Sequence, residues 1–233
     1  VNVTDQVPPV LNCPADILIS LDAGECSSFV NFNITATDNC PFAGPAGTVN
    51  STPGAANNGN AAGGLVCFDL ENTYSGPMTI TGMSSSIDGP TQVGIYTKTG
   101  TAQGFEQNAG AFTLVATADA TAGPFTTVPT PFATNFQIQP GVTGVCLHMI
   151  STTSNYTNGN GGGGAYGTSP NGTYTDGNLT IRAGATSNTF FASAPFNPRI
   201  WIGSATYETV SGGVITQTQG LPSGSEVPLG TTT

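Results

Sequence analysis

Five cysteines, one histidine and thirteen carboxylates are the residues of this 233-residue chain with the most chemistry to offer. Cys67 lies in VCFDL and Cys146 in VCLHM. Val66, Phe68 and Leu70 are the apolar set of the first segment, and Val145, Leu147 and Met149 that of the second, so both cysteines fall out of phase with their apolar neighbours. On the non-core faces of neighbouring strands they would cross-link them, closing a loop of about 80 residues for roughly 2–4 kcal/mol. Two unpaired thiols are the alternative. No two cysteines have the close spacing of a zinc knuckle and His148 has no second imidazole to join it, which argues against a zinc site.

Asp69 and Glu71 share one face at the end of a strand, spaced for joint calcium ligation or for solvation. They stand too close together to act across a sugar ring, as a glycosidase pair must. No D-x-D-x-D-G loop or glycine-aspartate nonapeptide occurs, so no cofactor is expected and calcium at this pair is the metal left open. His148 is the sole imidazole base, no serine lies in G-x-S-x-G, and a triad needs nucleophile, base and orienter together. No enzymatic activity is expected. Asp176, in TDGN, reads as a turn residue.

Residues 154–178 form the longest stretch without apolar alternation and carry Tyr156, Tyr166 and Tyr174. With Trp201 these rings could stack on a sugar, or could serve a protein interface, where tyrosine is enriched. Gly161–Gly164 form no phosphate loop, because no GK[ST] follows. Sequons stand at Asn2, Asn33, Asn50, Asn155, Asn171 and Asn178, and mark glycans only where the source glycosylates.

The elements that must position these residues are short. Period-2 alternation runs through Ile17 to Leu21, Val30 to Ala36, Leu65 to Leu70, Met78 to Met83, Val93 to Tyr96, Phe112 to Ala116, Val145 to Ile150, Leu179 to Arg182 and Ile200 to Ile202, each run bounded by Gly, Pro, Asn or Asp. Helical periodicity is nearly absent, apart from one turn's worth around Glu106 to Ala111. The fold class expected is all-β, a sandwich or barrel. Charged residues are 7% of the chain, against about 25% in an ordinary domain. Three basic side chains and a net charge of -10 exclude a phosphate-tracking nucleic-acid surface and docking on an anionic membrane. No run approaches the roughly 20 apolar residues of a membrane-spanning helix, so no membrane insertion is expected.

DQVPPVLNCPADILISL, GEC and VNFNITATDNC near the start resemble the opening of a hyalin-repeat (HYR) module, an immunoglobulin-like β-sandwich of extracellular proteins, and VITQTQGLPSGSEVPLGTTT at the end resembles its later part. The resemblance implies a split immunoglobulin-like sandwich over residues 1–44 and 208–233. Residues 45–207 then form an inserted domain, entered and left through Gly- and Pro-rich crossings. From VCFDL to FNPRIW the insert resembles a jelly-roll-like β-sandwich of secreted bacterial proteins.

The HYR resemblance pairs Cys26 with Cys40. It sends Cys13 to a cysteine in a last strand that the family module carries beyond PLGTTT, leaving Cys13 unpaired or intermolecular here. VNVTDQ looks like the final strand of a preceding module, which leaves two routes open: Val1, Asn2, Val3 and Thr4 of the next copy pair beside Val214, Thr216 and Thr218 in the manner of β-augmentation, or the polypeptide continues beyond Thr233 and supplies its own strand. The function implied is a structural module of a secreted cell-surface adhesin or extracellular filament, assembled end to end as repeats or by strand donation. Its partners would be neighbouring copies or modules. The alternative is a carbohydrate-binding, lectin-like module whose partners are surface glycans.

Overall fold

The computed structural model describes residues 8, 10–21, 23–32, 34–37, 43–51, 55–121, 129–159, 165–168, 172–210, 221, 223, 225–228 and 230. Among them the chain is all-β, and the only helical element is a 3-10 turn at Ala109–Ala111, inside the run expected to make one turn. Two compact units divide it: Val1–Phe42 with Ser211–Thr233, and Ala43–Val210.

The smaller unit contributes β1 (Val10–Asn12), β2 (Ser27–Val30), β3 (Thr35–Thr37) and, last in the chain, β17 (Ser225–Pro228). The larger contributes β4 (Ala43–Asn50), β5 (Asn58–Gly59), β6 (Leu65–Asn72), β7 (Met78–Ser85), β8 (Thr91–Thr99), β9 (Thr113–Ala120), β10 (Thr130–Ile138), β11 (Gly141–Met149), β12 (Asn155–Asn158), β13 (Thr173–Thr175), β14 (Leu179–Ser187), β15 (Phe196–Trp201) and β16 (Gly203–Val210).

In the larger unit a four-stranded sheet, β10-β7-β16-β4, packs against a nine-stranded one, β5-β12-β15-β14-β6-β11-β8-β9, with β13 added on β14. Every pairing between these strands is antiparallel. The alternation explains the packing: Val66, Phe68 and Leu70 of β6, Val145, Leu147 and Met149 of β11, and Ile80 and Met83 of β7 all enter one core between the sheets. Burying each such side chain contributes about 1.5–3 kcal/mol.

The opposite face of β6 and β11 was expected to be free of core, and here the structure differs. Leu65, Cys67, Cys146 and Ala185 are covered there by Ala102, Phe112, Tyr166 and Phe191, which form a second buried cluster. The nine-stranded sheet is thus dry on both faces along β6, whose residues are all buried except a half-buried Glu71. Both faces being covered suppresses the polar half of the usual alternation.

The Gly- and Pro-rich AGPAGTVN, expected as a crossing turn, is instead edge strand β4. Pro45 is tolerated because it falls in a bulge: the register runs Glu208↔Ala46 and then Val210↔Ala43, so Gly44 and Pro45 together face Thr209. Thr209 Oγ1 donates to the Pro45 carbonyl at 2.7 Å. The larger unit accordingly takes in residues 43–44 and 208–210, beyond the expected 45–207.

In the smaller unit β1 pairs with β3, and β17 with β2. The expected single strand from Val30 to Ala36 is broken, with β2 ending at Val30 and β3 starting at Thr35. Ile17 to Leu21 form no strand. Ser223 Oγ ties the end of β2, accepting from the Phe32 amide at 2.9 Å and donating to the Phe32 carbonyl at 2.7 Å.

Candidate functional site

Cys67 and Cys146 stand directly opposite each other in the β6–β11 ladder and are disulfide-bonded, with Cα atoms 4.1 Å apart. A network of polar groups seals the cluster above them. Tyr166 donates its hydroxyl to Glu106 Oε1 at 2.5 Å, and both residues are buried. Burial pushes the Tyr166 phenol far above its ordinary value, and the charge and hydrogen bond of Glu106 push it the same way. The arrangement fixes the 101–112 loop over the disulfide.

Asp69 and Glu71 do share a face, and each is already engaged by the protein. Asp69 is buried, with Oδ2 accepting from Thr101 Oγ1 at 2.6 Å and Oδ1 from the Ala102 amide at 2.8 Å. Burial raises its pKa, and those two hydrogen bonds, with Lys98 and Arg182, pull partly the other way. Glu71 is ion-paired with Arg182 of the neighbouring strand. No group of three or more candidate ligands gathers around a metal position among the described residues. The two carboxylates are structural anchors, one for the 101–112 loop and one for β14.

Three of the four rings expected at a glycan or protein interface are buried. Trp201 is fully buried, stacked on Phe68 with centroids 4.2 Å apart, and its Nε1 donates to Ser85 Oγ at 3.1 Å. Tyr166 is sealed in the second cluster, and Tyr156, 3% exposed, is packed at β12. Tyr174 is half-buried against the main core. Trp201, Tyr156 and Tyr166 therefore present no face to a sugar; a stretch without alternation misleads here because its tyrosines anchor short strands and turns to cores on both sides.

Asn155, one of the sequon residues, is also buried and donates to Asp88 Oδ1 at 2.7 Å, so it offers no amide for glycosylation in the folded unit. Asp176 is the turn residue expected, its Oδ1 accepting from the Asn178 and Leu179 amides at 3.0 Å each. Its pKa is lowered: burial raises it, and the bonds from Leu179, Asn178 and the Tyr207 hydroxyl outweigh that.

His148 is half-buried with its ring 4.4 Å from Phe190, which joins Phe191, Tyr96 and Phe112 in one aromatic group. Burial lowers its pKa, and a hydrogen bond to the Gly63 backbone offsets part of this. Phe191 holds φ at +48°, a conformation uncommon for a bulky side chain, so the turn that seats its ring in the second cluster carries backbone strain.

The smaller unit has a different character. Among its residues whose side chains are described, none is buried. Val10, Leu11, Leu18 and Phe29 are 60%, 56%, 96% and 67% exposed, and Ile17, Ile19 and Leu221 are exposed as well. Cys13 and Cys26 are exposed and carry no disulfide among the described residues. The expected Cys26–Cys40 pair cannot be followed there, since Cys40 lies outside the described residues, as do Val1 to Thr4 and Val214 to Thr218. This open apolar surface is the candidate functional site. Its sequence signal was the apolar content of DILISL, whose alternation suggested a half-buried strand.

No helix of the described residues is long and apolar enough to cross a membrane. Compared with protein-family models, with curated proteins and with solved structures, the chain matched none.

Proposed function

We propose that this protein is a structural module of a secreted cell-surface adhesin or extracellular filament, in which the smaller unit is an HYR-like sandwich completed by a neighbouring copy or module. The observation that carries the reading is the contrast between the two units. The larger has two dry cores and a disulfide. Among the described residues the smaller has two separate two-stranded pairs and exposed Val10, Leu11, Ile17, Leu18, Ile19 and Phe29, with no buried residue among those whose side chains are described. Isolated two-stranded ribbons are marginal in water, and unpaired apolar edges are a liability natural proteins cover. An added strand supplies both the missing backbone partners and the missing apolar face. The disulfide supports an oxidising, extracellular setting. The engaged states of Asp69, Glu71 and His148 suit a structural role better than a catalytic one.

Sedimentation of the purified chain over a range of concentrations, with electron microscopy of the same material, tests this. Reversible growth into end-to-end oligomers or fibres is expected, with failure of assembly when residues 1–6 are deleted. A chain that stays monomeric at every concentration would remove the assembly reading. Fibres that form normally without residues 1–6 would replace strand donation by a continuous tandem polypeptide.

A further inference from the structure

The three basic side chains of the protein are not used alike. Lys98 Nζ donates to the Thr99 and Thr101 carbonyls at 2.9 and 2.8 Å and sits 4.2 Å over the Phe105 ring. Arg182 holds Glu71. Arg199, on β15, pairs with no carboxylate among the described residues. Its Nη1 donates to the adjoining Pro198 carbonyl at 2.8 Å, and its buried Nε has no acceptor among those residues. Tyr156 and Phe196 flank it, with ring centroids 5.5 and 5.6 Å from the guanidinium carbon, and Phe196 is exposed. The Arg199 Nε is sealed from solvent, so a ligand from another molecule meets this half-buried guanidinium at its Nη groups. A guanidinium beside two rings, with Nη donors to spare, is suited to one ligand above others: a carboxylate met by its two Nη groups.

The same chain supplies that ligand. All three basic residues belong to the larger unit, whereas the smaller holds Asp5, Asp16, Asp22, Glu25, Asp38 and Glu226 and no Lys or Arg. Asp16, Glu25 and Glu226 are exposed. A free polyanion is a poor occupant, because a net charge of -10 repels it at long range and a single arginine cannot compensate. A carboxylate presented on an apolar surface that itself seeks burial is a better one.

We propose that Arg199 of one copy receives a carboxylate, Asp16, Glu25 or Glu226, from the smaller unit of the next, in a head-to-tail contact. Made once per copy, such a contact propagates into a filament where its rotation does not close into a ring; made reciprocally, it closes a two-fold dimer. The inference rests on the assembly reading above and adds the residue that fixes its polarity.

Sedimentation equilibrium of the full chain separates the two. Arg199→Gln should weaken self-association about tenfold or more, with Arg199→Lys intermediate because it keeps the charge and loses the planar fork. Asp16→Asn, Glu25→Gln and Glu226→Gln combined should produce the same loss, with Ser27→Ala as the control because Glu226 also accepts from Ser27 Oγ across the β2–β17 pair. Adding Arg199→Gln to that triple variant should cost nothing further, as a double-mutant cycle requires of a direct pair. If the wild-type chain assembles and Arg199→Gln assembles equally well, this inference fails and the assembly reading stands. Weakening by Arg199→Gln that the triple variant does not reproduce also overturns it, by placing the ligand elsewhere. A wild-type chain monomeric at all concentrations removes both.

Discussion

At the residue scale, two side-chain chemistries can be measured without knowing the partner. The Cys67–Cys146 bridge closes a loop with a sequence separation of 79, and its removal as Cys67→Ala with Cys146→Ala should lower unfolding free energy by about 2–4 kcal/mol. Urea denaturation of the variant against the oxidised wild type reads this directly; equal midpoints would mean that the loop is constrained by other means. His148 is the only histidine, so its titration stands alone near neutrality. Burial holds its folded pKa below the ordinary 6.5. The unfolded chain therefore takes up the proton first as pH falls, and stability present above pH 6.5 is lost through 6.5 and below. His148→Gln should flatten that part of the stability profile between pH 8 and 5, while the carboxylate contribution stays common to both proteins. Parallel profiles would show that the half-buried ring feels no penalty.

At the scale of elements, the bulge in β14 between Arg182 and Ala185 lets two layers meet. A Cβ on Gly184 would lie 2.3 Å from the Cys67 carbonyl and 2.5 Å from the Tyr166 ring, neither of which can retreat from the second cluster. Gly184→Ala should thus destabilise the larger unit by about 1–3 kcal/mol, read as a lower denaturation midpoint with an unchanged slope. A neutral substitution would mean that Tyr166 is free to move. Elements such as this explain what could be read from sequence and what could not. The strands around VCFDL and VCLHM were legible because alternation records which residues face the main core, and the cysteine register followed from it. β4 was not, since a bulged edge strand tolerates the Gly and Pro that ordinarily punctuate turns. The second cluster was hidden because residues far apart in sequence, Phe112, Tyr166 and Phe191, cover a face whose own residues look merely out of phase. Trp201 was legible as an important ring and illegible as a buried one, for composition does not record which face of a short strand meets Phe68.

At the scale of the whole molecule, the larger unit owns its cores and its disulfide, so Ala43–Val210 expressed alone should unfold in a single cooperative transition at the midpoint it has within the full chain. Calorimetry of the two proteins compares them, and a broad transition in the excised unit would show that its stability depends on the remainder. The smaller unit by itself should give no cooperative transition until it assembles. One register determines how such a chain would respond to pulling. Val210 stands opposite Ala43, so the larger unit is entered and left at the same end of one antiparallel pair. Tension between those two points loads the β4–β16 ladder like a zipper, one bond at a time, instead of shearing all of its bonds together. In a filament of the proposed kind, the joints between copies, Arg199 of the larger unit among them, would bear the strain. Strands such as β6 and β11 lie off that ladder, so they could vary in sequence without changing how the β4–β16 pair unzips.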